Sequence, residues 1–263
     1  MKESSLTLIS REPLSDSGNI RMLRFDAPGI EARPGQFVNI LVEGQYLRRP
    51  ISVSDYDGRV LSLVVQIVGE GTRKLVSTPE GASLNILTGL GNGFTLPEPP
   101  EAGTLNVLLI GGGVGYAPLV GLLRRLSSTP GVRPLAVFGF NSAADAPLAH
   151  IRALRAEGLP VETALMKKGP DADGSLHEGN ALEVALRLAA LRGLDPGQYF
   201  SCGPMPMMKA VAAALPFPGQ LSLEARMGCG FGACMGCTLL TSAGPVRICR
   251  EGPVFPASYI NDK

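Results

Sequence analysis

The chain has 263 residues, a formal net charge of +1 and 45% hydrophobic residues. At about 150 residues per domain, this length predicts two compact units with a small third piece and argues against a single small module. The near-neutral charge, without a block of basic residues, argues against nucleic acid as a partner. The sequence also lacks a signal peptide and any run of roughly 18 apolar residues, so we expect a cytoplasmic protein that does not insert into a membrane.

Residues 1–98 are predicted to form a small antiparallel barrel. Apolar stretches separated by turn signals such as Pro28-Gly29 predict six short strands. The strands are predicted at 6–9, 20–25, 37–42, 50–53, 60–68 and 84–87. Six strands at this spacing, joined by short turns, are typical of a barrel.

Two segments of this barrel are candidate phosphate sites. Arg48 and Arg49 stand beside the fourth strand, where paired guanidinium groups suit a phosphate. The segment 69–75 follows the fifth strand and opens a helical turn, with Thr72 expected as its cap, which predicts a second anion site. Either segment is also compatible with a solvated surface. Two such sites next to a nucleotide domain favour a dinucleotide such as FAD.

Residues 99–218 are predicted to form a nucleotide-binding α/β domain. The Pro-rich segment 97–100 is a natural boundary with the barrel. Continuous apolar strands then alternate with helical segments, which predicts a parallel sheet covered on both faces. The strands are predicted at 105–110, 135–140, 161–165 and 199–202, and the helices around 119–126, 151–155, 181–190 and 207–215.

The first strand of this domain runs into a glycine turn and then a helix, an arrangement suited to a pyrophosphate. The glycines of the turn are Gly111, Gly112, Gly113 and Gly115. Tyr116 stands where the full dinucleotide fingerprint has its third glycine. The turn alone is therefore also compatible with an ordinary tight strand-to-helix connection.

A further candidate for the nicotinamide site lies where the strand predicted at 199–202 ends. Ligands of open α/β sheets bind outside the carboxyl ends of the strands, which is the expected place of Cys202 and Gly203. Cys202 is equally compatible with a small buried hydrophobic residue. After the second strand no basic residue is in position to meet a 2′-phosphate, and Asp145 is a weak ribose candidate, so the sequence favours NAD over NADP.

The segment 219–263 contains four of the five cysteines and too few apolar residues for an independent core. Cys229, Cys234, Cys237 and Cys249 have the spacing C-x4-C-x2-C-x11-C. In a reducing compartment such a group favours metal ligation over disulfides, and this triplet with a remote fourth cysteine is typical of plant-type [2Fe–2S] proteins. Structural zinc is the alternative. Four interleaved glycines favour the cluster, because they allow positive φ angles and close backbone approach.

Seven segments, in order along nearly the whole chain, resemble the family of electron transfer subunits of dihydroorotate dehydrogenase B, the NAD-linked type. The segments are 49–52 (RPIS), 69–72 (GEGT), 90–94 (LGNGF), 111–115 (GGGVG), 201–204 (SCGP), 224–237 (EARMGCGFGACMGC) and 249–255 (CREGPVF). Most of these motifs are shared by ferredoxin-reductase-like proteins in general. The cysteine segment followed by Gly-Pro-Val-Phe is much more specific.

The resemblance implies FAD on the barrel and one [2Fe–2S] cluster on the four C-terminal cysteines. The implied FAD residues come from three segments: Arg49, Pro50, Ile51 and Ser52; Val64, Val65 and Gln66; and Gly71 and Thr72. The family often has Arg in place of Gln66, and Arg73 is the candidate replacement. Since the cofactors carry the reaction, we expect no catalytic side chain in this chain.

The resemblance also implies a function and a partner. The chain would pass electrons, by way of FAD and the cluster, between NAD and the FMN of a separate catalytic subunit. That subunit oxidises dihydroorotate to orotate in pyrimidine (UMP) synthesis. A heterotetramer with two copies of each subunit is expected. The alternatives are the reductase subunit of an NAD(P)H:ferredoxin oxidoreductase or sulfide dehydrogenase complex, in which a cluster ligand is sometimes Asp, and a zinc-stabilised adaptor without enzymatic activity.

Overall fold

The computed structural model describes residues 1–167 and 174–260. Its first part is a closed barrel with the strand order β1-β2-β5-β4-β3-β6, and all of its neighbouring strands are antiparallel. These strands are β1 (Lys2–Pro13), β2 (Ile20–Asp26), β3 (Phe37–Ile40), β4 (Arg49–Tyr56), β5 (Val60–Gln66) and β6 (Ser83–Leu90). The predicted six-stranded antiparallel barrel is confirmed.

Side chains that alternate along the strands build the core of this barrel. In β5, Leu61, Leu63 and Val65 are buried in the barrel core, whereas Val64 packs with residues of the second sheet and its helices. A helix, α1 (Glu70–Ser77), connects β5 to β6, and its Leu75 is buried in the same barrel core. One face of β5 therefore supports the barrel, and the other faces the neighbouring domain.

The second part is an open sheet with the strand order β10-β9-β8-β7-β11-β12-β15. Its strands are parallel up to β12, and β15 is antiparallel to β12. The strands are β7 (Leu105–Gly112), β8 (Val132–Phe140), β9 (Val161–Leu165), β10 (Leu176–Glu178), β11 (Pro196–Cys202), β12 (Gly219–Ser222) and β15 (Val254–Pro256). The helices are α2 (Ala117–Ser127), α3 (Leu148–Ala156), α4 (Ala181–Leu191) and α5 (Met205–Ala214). The predicted parallel sheet is confirmed.

Both faces of this sheet are covered, as its continuous apolar strands require. In β7, Val107 and Leu109 belong to a core with residues of α2 and α3. Leu108 and Ile110 belong to the opposite core, with residues of α4 and α5. Within the part of the chain that the structure describes, each helix is too short or too polar to cross a bilayer.

The cysteine segment rests on the large sheet. The predicted boundary at residue 218 is followed at once by β12, which pairs with β11. β15 pairs with β12 and is the edge strand of the sheet. Between them lie the cysteine loops and a hairpin of β13 (Thr238–Thr241) and β14 (Gly244–Arg247). Ile248 and Phe255 share a core with α4 and α5, so the short segment needs no core of its own. Residues 261–263 of the predicted domain lie outside the described residues.

The rings of Tyr116, directly before α2, and His150, in α3, pack against each other. The hydroxyl of Tyr116, a fully buried side chain, is 3.1 Å from Nδ1 of His150. Burial, and to a lesser extent the charges of Arg24 and Arg124, lower the pKa of His150 from 6.5 to about 4. The imidazole is therefore neutral near pH 7.

This histidine should make the fold sensitive to mild acid. As the pH falls below about 6.5 the unfolded chain gains a proton at His150, whereas the folded chain gains it only near pH 4, so stability falls between these values. We expect the loss to be about 2 to 3 kcal/mol at pH 4.5 relative to pH 7. Denaturant unfolding of wild type and His150→Gln at both pH values measures it. An equal pH dependence in the two proteins would contradict the assignment.

Candidate functional site

A cleft of about 330 Å³ separates the barrel from the second sheet. One wall consists of Pro50, Ile51 and Ser52 of β4 and of Val64 of β5. The opposite wall includes Gly115 of the glycine turn that follows β7. Two of the predicted FAD segments thus lie on one wall, facing the predicted nucleotide turn. We call this space the barrel cleft.

Arg49 lies against the beginning of α1. A Cβ added at Gly71 would stand 1.9 Å from its Nε, so the guanidinium occupies space that only a glycine leaves open. The Arg49 Nη2 donates a hydrogen bond to Oε1 of Gln45 at 2.6 Å, and Nη1 donates to the Leu47 carbonyl at 2.6 Å. A guanidinium beside the free N–H groups of a helix start binds anions, so this corner fits a phosphate of a dinucleotide.

The start of α1 differs from the prediction at Thr72. Gly69 is the N-cap, and Thr72 lies three residues into the helix. The Thr72 hydroxyl reaches back and accepts hydrogen bonds from the N–H groups of Val68 at 3.0 Å and Gly69 at 3.2 Å. A hydroxyl at this position satisfies donors that precede the helix, as the second partner of a capping box does. Thr72 therefore shapes the turn and also lines the barrel cleft.

Strand alternation turns some predicted residues away from the cleft. Nη1 of Arg48 donates to the carbonyls of Asn39 at 3.3 Å and Asn85 at 3.2 Å, so only Arg49 of the two arginines lies beside α1. The side chain of Val65 is buried in the barrel core. Gln66, one residue later, is exposed and lines the cleft.

A second cleft of about 440 Å³ adjoins the first, and we call it the sheet cleft. Gln66 and Val114 line both clefts, so the two spaces meet at these side chains. Gly112 and Gly113 of the glycine turn line the sheet cleft at the carboxyl end of β7. This is the edge at which open α/β sheets bind nucleotides.

The far side of the sheet cleft is acidic and polar. Asp145 lines it, and one of its carboxylate oxygens accepts a hydrogen bond of 2.8 Å from the Ser142 hydroxyl. Asn180, the N-cap of α4, lines it as well. None of the described residues that line this cleft is basic. A carboxylate without a basic neighbour suits a ribose hydroxyl better than a 2′-phosphate.

The glycine turn fits closely against the end of β11. A Cβ at Gly115 would lie 2.5 Å from the carbonyl oxygen of Cys202 and 2.7 Å from the nitrogen of Gly203. A Cβ at Gly203 would lie 3.0 Å from the nitrogen of Gly112. The structure therefore brings these predicted residues together, while Gly111 is buried and lines neither cleft.

This close approach predicts a large cost for Gly115→Ala. The new methyl group meets backbone atoms of Cys202, which cannot turn aside, so we expect the free energy of unfolding to fall by about 3 kcal/mol. Gly113 is the matched comparison, because a Cβ there meets no atom within 4 Å and only its φ of +54° opposes substitution. Gly113→Ala should cost about 1 kcal/mol. Denaturant unfolding measures both, and an equal loss would contradict the packing described.

The barrel cleft is also lined by Ser222, Glu224 and Met227, none of which was predicted as a site residue. Ser222 ends β12, and Glu224 and Met227 follow it before the first cysteine of this segment, where the chain crosses the carboxyl end of the parallel sheet. Because ligands bind at this edge of an open α/β sheet, the position of these residues could have identified them as site residues. Cys202 lines the same cleft, and burial, with the Glu224 charge as a second cause, raises the pKa of its thiol to about 12. Cys202 is therefore a neutral thiol at neutral pH.

The four remaining cysteines lie as two pairs. The Sγ atoms of Cys237 and Cys249 are 3.2 Å apart, and the N–H of Cys229 donates to Sγ of Cys234 at 3.4 Å. No three His, Cys, Asp or Glu side chains of residues 1–167 and 174–260 are grouped to hold one metal ion. A [2Fe–2S] cluster with four cysteine ligands has two on each iron, so two thiol pairs fit it.

Backbone N–H groups surround Sγ of Cys229. They belong to Phe231, Ala233 and Cys234, at 3.5, 3.3 and 3.5 Å. Burial acts to raise the pKa of Cys229, but these donors prevail and lower it to about 6. Such a loop stabilises a thiolate, the form that binds metal, and N–H groups directed at sulfur are what iron–sulfur sites use.

Two of the four interleaved glycines are required by the backbone. Gly230 and Gly232 have φ angles of +80° and +93°. A Cβ at Gly232 would lie 2.6 Å from Cδ of Arg250, and one at Gly230 would lie 2.4 Å from Nδ2 of Asn39. Gly228 and Gly236 have no positive φ. The loop thus wraps closely, as a cluster-binding loop must.

The C-terminal segment and the whole chain both match known proteins. Residues 224–261 match the iron–sulfur cluster binding domain of dihydroorotate dehydrogenase B. Over its whole length the chain is similar to proteins named dihydroorotate dehydrogenase B (NAD(+)), electron transfer subunit. That of Bacillus velezensis is 34% identical over 99% of both chains, and that of Lysinibacillus sphaericus is 36% identical over 86% of both.

Solved structures share the fold. The NADH-dependent reduced ferredoxin–NADP oxidoreductase structure has a TM-score of 0.80 and 23% identity, and the match covers 98% of this chain and 90% of that one. An Amycolatopsis cytochrome P450 reductase has a TM-score of 0.63 and 26% identity, with 81% and 65% covered. These likenesses extend the sequence match to the arrangement of the barrel and the sheet.

Proposed function

Because the chain belongs to the family of electron transfer subunits of dihydroorotate dehydrogenase B, we propose that it passes electrons between NAD and a catalytic subunit that oxidises dihydroorotate to orotate in UMP synthesis. Flavin exchanges electrons with nicotinamide in pairs and with an iron–sulfur cluster singly, so FAD is needed between the two. The observation that carries the proposal is that the three proposed cofactor sites adjoin one another. The sheet cleft meets the barrel cleft at Gln66, and Met227 of the barrel cleft precedes Cys229 by two residues.

The proposed cofactor residues follow this order. The FAD residues are Arg49, Pro50, Ile51, Ser52, Val64, Gln66, Gly71 and Thr72 around the barrel cleft and α1, with Val65 behind them in the barrel core. The NAD residues are Gly112, Gly113 and Gly115, with Gly111 beneath them, and Cys202 and Gly203 at the end of β11. The [2Fe–2S] ligands are Cys229, Cys234, Cys237 and Cys249.

The side chains of this chain bind and orient rather than react. Arg49 and the start of α1 hold phosphate charge at one end of the barrel cleft. Cys202, which also lines the barrel cleft, presents a neutral thiol that adds no charge beside the ring of a cofactor. The acidic group of Asp145 favours NAD over NADP at the sheet cleft.

The cysteine loops provide the contact with the catalytic subunit, for which we propose an FMN-containing protein in a heterotetramer with two copies of each chain. Cys234 is exposed, and Phe231 and Met235 beside it are large apolar side chains with 44% and 56% of their surface exposed. Apolar side chains around an exposed redox ligand suit a protein partner better than water. Four ligand thiols must stay reduced, which suits a cytoplasmic location.

Coexpression with an FMN-containing catalytic subunit tests the proposal. The purified pair should oxidise dihydroorotate with reduction of NAD, and the electron transfer chain alone should not. A pair that forms, carries its flavins and shows no such activity would contradict the assignment. Ferredoxin reduction by the chain with NAD(P)H would instead support an NAD(P)H:ferredoxin oxidoreductase. Colourless protein with stoichiometric zinc would support an adaptor without redox chemistry.

A further inference from the structure

We propose that Asn39 is a positioning residue that holds the loop of residues 228–233 against the flavin barrel and thereby sets the rate of electron transfer between FAD and the cluster. We call these residues the Cys229 loop. The inference rests on the proposed function, because it concerns the step between the two cofactors. It assigns no catalytic contact to Asn39, which acts through the backbone of a cluster ligand.

The side chain of Asn39 contacts this loop directly. Asn39 lies in β3 and has 1% of its surface exposed. Its Nδ2 donates a hydrogen bond of 3.0 Å to the carbonyl of Cys229. The next residue, Gly230, leaves no room for a Cβ, which would stand 2.4 Å from the same Nδ2. The loop therefore lies as close to the barrel as its backbone allows.

The barrel holds Asn39 firmly on its other side. In the β3–β4 register its partner is Pro50, which lines the barrel cleft. Nη1 of Arg48 donates to the Asn39 carbonyl at 3.3 Å and to the Asn85 carbonyl at 3.2 Å. The amide that binds the Cys229 carbonyl thus belongs to a rigid strand, one cross-strand pair from the wall of the proposed flavin site.

A second hydrogen bond to the loop has a different origin. Nη1 of Arg247, at the end of β14, donates to the Gly232 carbonyl at 2.9 Å. This bond joins the loop to a hairpin of the same cysteine segment. The Asn39 bond joins the loop to the barrel and so bears on the separation of the two cofactors.

Loss of the Asn39 hydrogen bond should change two properties: the rate of electron transfer from flavin to cluster, and the spectrum of the cluster. Electron transfer slows steeply as the donor and acceptor separate, so a loosened Cys229 loop slows the transfer from flavin to cluster. The same movement disturbs the N–H groups that face Sγ of Cys229, and hydrogen bonds to sulfur tune the properties of a cluster. A change confined to packing would alter stability without these two effects.

The test compares wild type with Asn39→Asp, which keeps the size of the side chain but replaces its donor with an acceptor that faces the Cys229 carbonyl. Each protein is mixed anaerobically with NADH, which gives two electrons as hydride to FAD, and one electron then passes to the oxidised cluster. Stopped-flow absorbance follows both steps, and the electron paramagnetic resonance (EPR) spectrum reports the reduced cluster. Asn85→Ala is the matched control, because Asn85 neighbours Arg48 in the barrel and its side chain contacts Glu3, not the loop.

We expect Asn39→Asp to reduce its flavin at the wild-type rate, to reduce its cluster at least about tenfold more slowly, and to show a shifted EPR signal. Asn85→Ala should match wild type in all three. Wild-type cluster kinetics and spectrum in Asn39→Asp would overturn the inference. If Asn39→Asp does not retain flavin, Asn39→Ser is compared in the same way and with the same criteria. Wild type that fails to reduce a cluster with NADH would contradict the proposed function itself, a separate outcome.

Discussion

Cys234→Ser should abolish electron transfer from this chain to its partner while NADH still reduces the flavin. Cys234 is a proposed cluster ligand on the exposed side of the cysteine segment, whereas the barrel and sheet clefts do not include it. Loss of a residue that only orients a metal ligand lowers metal affinity or activity by about 10- to 100-fold. Loss of a ligand itself should therefore lower the rate of NAD-dependent dihydroorotate oxidation by at least about 100-fold. Iron content, the visible spectrum and activity of the complex with the catalytic subunit measure the effect.

Cys202→Ser is the control, because Cys202 is the one cysteine outside the proposed ligand set. It should retain the iron content of wild type, while Cys234→Ser loses most of it. Full iron in Cys234→Ser would show that this residue is no ligand. Loss of FAD together with iron would show that the cluster loops also support the flavin site.

Arg49→Met should weaken FAD binding by about 2 kcal/mol, or about thirtyfold, because a charged hydrogen-bonding group is removed from the phosphate corner beside α1. Methionine keeps much of the apolar stem, so the strand should remain packed. Titration of the flavin-free protein with FAD, followed by fluorescence, measures the dissociation constant.

Arg48→Met controls for the loss of a positive charge from the same segment. Its guanidinium binds the Asn39 and Asn85 carbonyls on the far side of the strand, so FAD affinity should change by less than about threefold. Equal losses in the two variants would show that general charge, not the Arg49 position, attracts the cofactor.

The sequence was sufficient to predict the architecture because the apolar residues of the two large domains follow different patterns. In β5, whose side chains alternate between two faces, Val65 lies in the barrel core and Val64 packs toward the sheet. Continuous apolar strands such as β7 correctly indicated a sheet covered on both faces. What the sequence did not show was that β12 and β15 extend this sheet, because strands of four and three residues leave too short a pattern.

The predicted site residues stand in separate motifs of the sequence, and the sequence did not indicate how the fold brings these motifs together. The glycine turn and Cys202 were predicted separately, and their contact through Gly115 depends on the pairing of β7 with β11. Strand alternation, applied to Arg48 and Arg49, would have shown that only one of them can face α1. Asn39 had no signal at all in the sequence, since its partner Cys229 lies 190 residues away along the chain.

In the proposed function, one chain connects a two-electron nicotinamide site to a one-electron outlet. Anaerobic addition of NADH to the purified chain, followed by EPR spectroscopy with spin quantitation, tests it most directly. We predict bleaching of the flavin absorbance and a [2Fe–2S] signal that approaches about one spin per chain. Flavin that is reduced without any such signal, or protein that holds zinc in place of iron, would contradict the account.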